Sequence, residues 1–355
     1  MTTIRHLEAI DAAALGRFDA IIDARSPAEF AEDHLPGAEN LPVLDDAQRA
    51  EIGTTYVHES RLLARRLGAA HVARNIAAHL EGPLADRPKD FAPLIYCWRG
   101  GQRSHAMATV LSQVGWPVTV LTGGYKTYRA YVRERLYEIG PEPRVMLLDG
   151  NTGSAKTDIL GRLAARGVQT LDLEGLAAHR GSLFGALPDK PQPSQKMFES
   201  RLLAALEALD LSRPVVVEAE SSKVGERMIP PVLWRAMQAA PRIELRAPRE
   251  ERVRYLVEAY RDIVERPELV RAALERLPQR PGRRRMADWM GLVEEGRAEA
   301  LTEVLIELHY DPAYDRSSRK DARKLLGVVE IETLDAGCRE VAADAVAEIV
   351  GRLTT

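Results

Sequence analysis

The sequence predicts an α/β protein of two domains, residues 1–140 and 141–355, the second ending in a helical extension. Three observations predict it. The chain has 355 residues, too many for one average domain and enough for two cores. Short apolar runs alternate with stretches of helical periodicity, the pattern of a mostly parallel sheet. Two glycine-rich loops, at 97–103 and 150–157, each follow an apolar run and open a helix.

In the first half, Ala20-Ile21-Ile22-Asp23-Ala24 and Leu94-Ile95-Tyr96 read as buried strands. Met107, Ala108, Leu111 and Val114 then recur at helical spacing until Gly115 stops the helix. Val118-Thr119-Val120-Leu121 is a further strand, closed by Thr122-Gly123-Gly124. Gly140-Pro141-Glu142-Pro143 breaks the pattern and sets the domain boundary. Beyond it, Arg144–Asp149 is a strand, the second glycine loop follows, and Ile159, Leu160, Leu163 and Ala164 share a helix face. Pro214–Ala219 and Ile243–Leu245 read as later strands. From about Glu250 to Leu308 the chain reads as helices, interrupted around Pro278–Arg285.

Charged residues make up 28% and hydrophobic ones 45%, ordinary globular values. A net charge of -3 supplies no global attraction to nucleic acid but leaves room for a segregated basic face. Cys97 and Cys338 lie too far apart for a metal-ligand pattern and suit a reducing compartment, so no metal site is assigned. Cys338 reads as a core residue between helical segments. The start lacks the apolar core of a signal peptide, and no apolar run approaches the ~20 residues of a membrane span. The expectation is a soluble, cytoplasmic protein with no membrane partner.

In Cys97-Trp98-Arg99-Gly100-Gly101-Gln102-Arg103, a lone thiol stands at a strand-to-helix turn. A thiolate needs positive potential, which helix N-termini and arginines supply. The amides of Arg99, Gly100, Gly101 and Gln102 are expected to fold round the sulfur, with Arg99 and Arg103 adding charge. Such a loop stabilises a thiolate, a persulfide or selenopersulfide anion, or a bound oxyanion. The chain here resembles the rhodanese family. Asp23-Ala24-Arg25-Ser26-Pro27-Ala28-Glu29-Phe30 with His34-Leu35-Pro36-Gly37-Ala38 and Asn40 is similar to that family's upstream signature, and Tyr96-Cys97 with Arg103-Ser104 to its active-site segment. Five residues separate Cys97 from Arg103, one more than is usual in rhodaneses and equal to cysteine-dependent phosphatases. A wider loop admits a bulkier anion, and phosphatase chemistry competes, although no acid for the leaving group is evident.

Gly150-Asn151-Thr152-Gly153-Ser154-Ala155-Lys156-Thr157 has P-loop spacing between a strand and a helix. The amides of Thr152, Gly153, Ser154, Ala155, Lys156 and Thr157 are expected to converge on phosphate oxygens, with the helix N-terminus adding potential. Lys156 would reach the terminal phosphate, and Thr157 could hold Mg²⁺. Ala155 stands where a glycine usually precedes the lysine. Glu218 and Glu220, near Lys223, are the candidates for an acid on a neighbouring strand. No clear aspartate occupies that place, which favours diphosphate binding over vigorous ATP hydrolysis.

A rhodanese-like domain followed by a P-loop domain resembles the tRNA 2-selenouridine synthase family. So do His179-Arg180-Gly181-Ser182-Leu183-Phe184-Gly185, Gln195-Lys196-Met197-Phe198-Glu199, Glu218-Ala219-Glu220-Ser221-Ser222-Lys223-Val224-Gly225 and His309-Tyr310-Asp311-Pro312-Ala313-Tyr314, over essentially the whole chain. The resemblance implies a tRNA selenotransferase that also transfers a geranyl group. Geranyl diphosphate alkylates wobble 2-thiouridine, and selenophosphate then supplies selenium while geranylthiol departs. It firmly implies no resident cofactor and leaves the need for Mg²⁺ open, and as partners it implies a tRNA with 2-thiouridine and a selenophosphate-producing enzyme. Cys97 would carry selenium as a selenopersulfide, and Gly150 to Thr157 would grip the diphosphate. His179, Arg180, Ser182, Glu218, Glu220 and Lys223 are candidate substrate contacts.

Binding of tRNA requires a basic face. Arg271, Arg276, Arg280 and Arg283, Arg284 and Arg285 concentrate charge in the helical region, with Arg242, Arg246, Arg249, Arg252 and Arg254 upstream among interspersed acids. Arg283–Arg285 are the chosen tRNA contacts. Three rivals stay open on the residues alone: a stand-alone sulfurtransferase, a P-loop kinase or ATPase, and a non-enzymatic RNA-binding protein.

Overall fold

The computed structural model describes residues 3–277, 282–318 and 321–352. Arg280 and Pro281 lie outside them. The chain divides into two compact units. Met1–Gly140 and Ser194–Glu207 form one, and Pro141–Pro193 with Ala208–Thr355 form the other.

The first unit holds strands β1 Arg5–Leu7, β2 Ala20–Asp23, β3 Ala38–Asn40, β4 Pro93–Tyr96 and β5 Thr119–Leu121. They form one parallel sheet in the order β1-β5-β4-β2-β3. Every residue of β2, β4 and β5 is buried, as expected of strands covered on both faces. Ile22, Ile95, Met107, Leu111, Val118 and Val120 centre its core. The helix Gln195–Glu207, which lies beyond the sequence boundary, belongs to this unit and buries Met197, Phe198, Leu202, Leu203 and Leu206. Its Glu199 pairs with Arg129 and accepts 2.7 Å from Tyr137 Oη, and its Glu207 accepts from Tyr131 Oη.

The second unit is built on β6 Arg144–Gly150, β7 Gln169–Leu171, β8 Pro214–Glu218, β11 Arg242–Arg246 and β12 Leu325–Glu330. A small antiparallel pair, β9 Lys223–Val224 and β10 Arg227–Met228, stands apart. The five long-range strands form a parallel sheet ordered β12-β11-β6-β8-β7. Helices between Arg249 and Ser318 surround a separate apolar cluster of Ile263, Val270, Leu274, Trp289, Leu301 and Leu305. The interruption is shorter than expected, because Arg283 already opens the helix Arg283–Glu294. His309 to Tyr314 is helical, with Tyr310 closing a π-helical turn and Asp311 starting Asp311–Ser318. Cys338 lies within the helix Ala336–Gly351, half-buried against the second core. Among the described residues, no helix is long and apolar enough to cross a membrane.

Candidate functional site

Both candidate loops sit at the carboxyl ends of inner parallel strands, where open α/β sheets bind ligands. Cys97 follows β4, and the loop to Gly101 leads into the helix Gln102–Val114. Among the described residues, the amides from Trp98 to Ser104 donate to no other protein group. Free donors of this kind at the start of a helix are the backbone resource that an anion site draws on. Gly100 has φ +62°, and a Cβ there would stand 2.7 Å from the Leu121 carbonyl and 2.9 Å from the Gly123 amide. Only glycine lets this loop lie against Gly123-Gly124.

That close approach has a cost in access. Cys97 is only 3% exposed and packs into the first core, deeper than a loop-mouth position would suggest. Its Sγ lies 3.2 Å from Ser104 Oγ, a hydroxyl able to donate to a thiolate. Arg99, Gly101 and Gln102 are exposed at the rim. Arg103 does not point its charge freely into the loop, because its Nη1 donates to Glu29 Oε2 at 2.7 Å. Burial works against the charge of Glu29, yet the Arg103 guanidinium holds its carboxyl below the ordinary range. Glu29 also accepts from the Ser26 amide at 3.1 Å, so the pair ties the upstream segment to the loop helix. Beneath the loop, buried Arg25 donates to both Asp23 oxygens and stacks 4.1 Å over the Tyr125 ring, which in turn contacts Trp98. Trp98 therefore packs, at least in part, against its own domain.

The P-loop leaves β6 at Gly150 and enters the helix Lys156–Ala165. The amides of Thr152, Gly153, Ala155, Lys156 and Thr157 have no protein acceptor among the described residues, whereas that of Ser154 is taken by the Asn151 carbonyl at 3.1 Å. Lys156 Nζ lies 2.7 Å from the Gly150 carbonyl, curled over the loop. Ala155 adopts φ 59° and ψ 29°, the left-handed region that glycine usually fills, at a cost on the order of 1–2 kcal/mol. A clamp that local spacing does not announce holds the loop from outside. Asp311 accepts 2.8 Å bonds from Asn151 and from both Arg252 terminal nitrogens, and Arg252 also donates to the Thr152 carbonyl at 3.2 Å.

Carboxylates crowd the far side of Lys156 and Thr157. Glu218 ends β8, the neighbour of β6, and is fully buried with no donor to either oxygen among the described residues. Thr157 Oγ1 donates to Glu174 Oε2 at 3.0 Å. Burial first, and then the mutual repulsion of Glu174, Glu218 and Glu220, pushes Glu174 up to about 9; burial pushes Glu218 to about 7. Gly181, at φ +66°, sits where a Cβ would collide with Glu174 and Glu220, so the His179–Ser182 loop closes over these acids only as glycine. Arg180 makes a bidentate pair with Asp262 and lies 4.9 Å over the Tyr260 ring. Burial lowers the His179 pKa. Lys223 is exposed in β9 and does not line the cavity at the P-loop, which has a volume of about 1290 Å³ and includes Glu174, Arg180, Ser182 and Glu220 in its walls.

The raised carboxyls make stability depend on pH. The folded protein holds protons on Glu174 and Glu218 that the unfolded chain releases near 4.5. Stability from these groups is therefore complete below that value and is lost as pH rises towards about 9. Glu174→Gln is expected to flatten the fall in thermal midpoint between pH 6 and pH 9, measured by calorimetry. An unchanged slope would show that Glu174 is not the proton holder.

Of the basic residues, Arg242, Arg246, Arg249, Arg252 and Arg254 all pair with carboxylates. Arg271, Arg276 and Arg283–Arg285 are exposed and form no ion pair among the described residues.

A family model described as the tRNA 2-selenouridine synthase AAA domain matches residues 143–342, and one for the rhodanese-like domain matches residues 6–131. A tRNA 2-selenouridine synthase of Cupriavidus pinatubonensis is 32% identical over 338 residues, covering 86% of this chain and 90% of the relative. Its namesake in Chromohalobacter salexigens is 33% identical over 354 residues, covering 91% and 94%. That of Cupriavidus necator is 39% identical over 248 residues, covering 68% and 65%. With a rhodanese-like first domain, a P-loop second domain and relatives aligned over most of its length, the chain belongs to the tRNA 2-selenouridine synthase family.

Proposed function

We propose that this protein converts wobble 2-thiouridine of tRNA to 2-selenouridine in two steps, geranylation at the P-loop and selenation at the Cys97 loop. The supporting observation is the pair of loops with free amides at strand ends, one beside a thiol and the other beside a lysine, in a chain of this family.

In the first step the thiocarbonyl sulfur attacks C1 of geranyl diphosphate. The C1–O bond breaks, diphosphate leaves with the electron pair, and the base loses its N3 proton. Free amides of the P-loop and Lys156 stabilise the charge developing on the departing oxygens. Thr157 and the donor-free carboxylate of Glu218 are the residues that would hold Mg²⁺. Such an ion typically takes only one or two protein ligands beside phosphate.

S-alkylation turns a poor leaving group into one that departs as a thiolate. In the second step the Cys97 thiolate would attack phosphorus of selenophosphate, and the free amides from Arg99 to Arg103 are the donors its oxygens would meet. The P–Se bond breaks and hydrogen selenide anion is released, leaving a phosphocysteine that water hydrolyses. Selenide attacks C2 of the alkylated base, expels geranylthiolate, and the base regains its N3 proton. Selenium stays fully reduced throughout, whereas a selenopersulfide on Cys97 would require an oxidant. Selenide also leaves without a general acid, which this loop lacks. A selenophosphate-producing enzyme supplies the donor, in the cytoplasm where the tRNA resides.

The exposed Arg283–Arg285, without an ion pair among the described residues, are assigned to the tRNA backbone. Reversing them to glutamate should reduce the steepness of log K against log salt by roughly 0.7–0.9 for each phosphate that is no longer neutralised. A slope equal to wild type would place the tRNA elsewhere.

The central test is mass spectrometry of nucleosides from 2-thiouridine tRNA incubated with the protein. Geranyl diphosphate alone should yield S-geranyl-2-thiouridine, and added selenophosphate should convert it to 2-selenouridine. Selenouridine formed without any geranyl donor would overturn the two-step reading.

A further inference from the structure

A second cavity, of about 110 Å³, opens beside the P-loop among the helices of the second unit. It shares Thr152, Ser182, Leu256 and Tyr260 with the larger cavity, so the two meet at the loop that would hold a diphosphate. Its inner wall is hydrocarbon: Phe184, Ile263, Val270, Leu292, Leu301 and Leu305. Three of the hydroxyls along it already have protein partners. Ser182 Oγ and Tyr260 Oη bond each other at 2.9 Å, and Thr302 Oγ1 donates to the Ala298 carbonyl at 2.8 Å. A nucleobase entering this hole would lose its hydrogen bonds to water and find few replacements. A hydrocarbon loses nothing and gains about 25 cal/mol for each Å² buried.

We propose that this hole seats the distal isoprene unit of the allylic diphosphate and sets the chain length the protein accepts. The proposal rests on the prenyl-transfer reading and adds to it the binding place of the tail. The occupant follows from continuity, because a diphosphate on the Thr152–Thr157 amides has its carbon chain leaving past Thr152, Leu256 and Tyr260. Size agrees with one unit inside and the rest in the neck. An apolar hole of about 150 Å³ holds a benzene ring, so this one suits a five-carbon unit rather than a whole geranyl chain. Ala298, the first residue of the helix Ala298–Leu305, and Phe184, from the His179–Gly185 segment, both line the hole.

The test measures transfer of dimethylallyl, geranyl and farnesyl groups to 2-thiouridine tRNA, with inorganic pyrophosphate as a competitive probe. Ala298→Leu fills the hole and should lower the geranyl-to-dimethylallyl ratio of kcat/KM by about tenfold or more. Phe184→Ala enlarges it and should raise the farnesyl-to-geranyl ratio by a similar factor. Pyrophosphate inhibition at its wild-type level shows that the P-loop is intact in both variants. Prenyl transfer with unaltered chain-length ratios in both variants overturns the pocket assignment alone. No prenyl transfer by the unaltered protein, to any of the three donors, overturns the prenyl-transfer reading and the pocket with it.

Discussion

Replacing Cys97 by serine should abolish selenation while S-geranylated tRNA accumulates. The proposed step needs a sulfur nucleophile beside the free amides of the loop, and a serine hydroxyl in the same place is a far weaker nucleophile. Cys97 is 3% exposed, with Ser104 Oγ 3.2 Å from its sulfur, so oxygen fits the space without disturbing the loop. The fold is retained and the chemistry is lost, by at least about 10³-fold if the thiolate acts as nucleophile. Nucleoside mass spectrometry reads both products in one sample. Intact-mass analysis of the wild-type protein with selenophosphate adds a second readout, a phosphocysteine adduct that the serine variant lacks. Selenation continuing at the normal rate would remove Cys97 from the reaction.

Lys156→Ala should reduce geranylation by about 10²–10³-fold, the scale on which a single donor to developing negative charge acts. Lys156 Nζ now rests 2.7 Å from the Gly150 carbonyl and 3.3 Å from that of Asn151. Those contacts keep an ammonium over the loop and let it exchange carbonyl for phosphate oxygen. The remaining free amides still bind diphosphate, so the larger effect should fall on kcat than on KM. The defect should be bypassed by supplying tRNA that is already geranylated, because selenation occurs at the other loop. An unchanged geranylation rate would exclude Lys156 from the site.

The inner strands could be read from the chain because they are continuous apolar runs, as in Ile21–Ile22, Leu94–Ile95 and Val215–Val217. The three-residue edge strands could not. β1, β3 and β7 are three residues each, and they carry Arg5, His6, Glu39, Asn40, Gln169 and Thr170. Residues this polar have no strand pattern until a neighbour is present. The two loops were recognisable from local spacing alone. What surrounds them comes from distant parts of the chain. Arg103 is neutralised by Glu29, which stands in the upstream signature and in the Ser26-to-Glu29 capping box, but neither points to Arg103. The Arg252–Asp311 clamp joins helices far apart in sequence, and Glu174 reaches Thr157 from a short helix with no distinguishing motif.

The excursion of Gln195–Glu207 into the first unit changes what a domain means in this protein. The backbone passes between the units at residue 140, again before Ser194 and again after Glu207, so no single cut yields two complete pieces. A fragment ending at Gly140 would strip Arg129 of Glu199 and bare the surface that Phe198 and Leu202 cover. The rhodanese-like unit thus takes its last helix from a stretch of chain that lies between two segments of the P-loop unit.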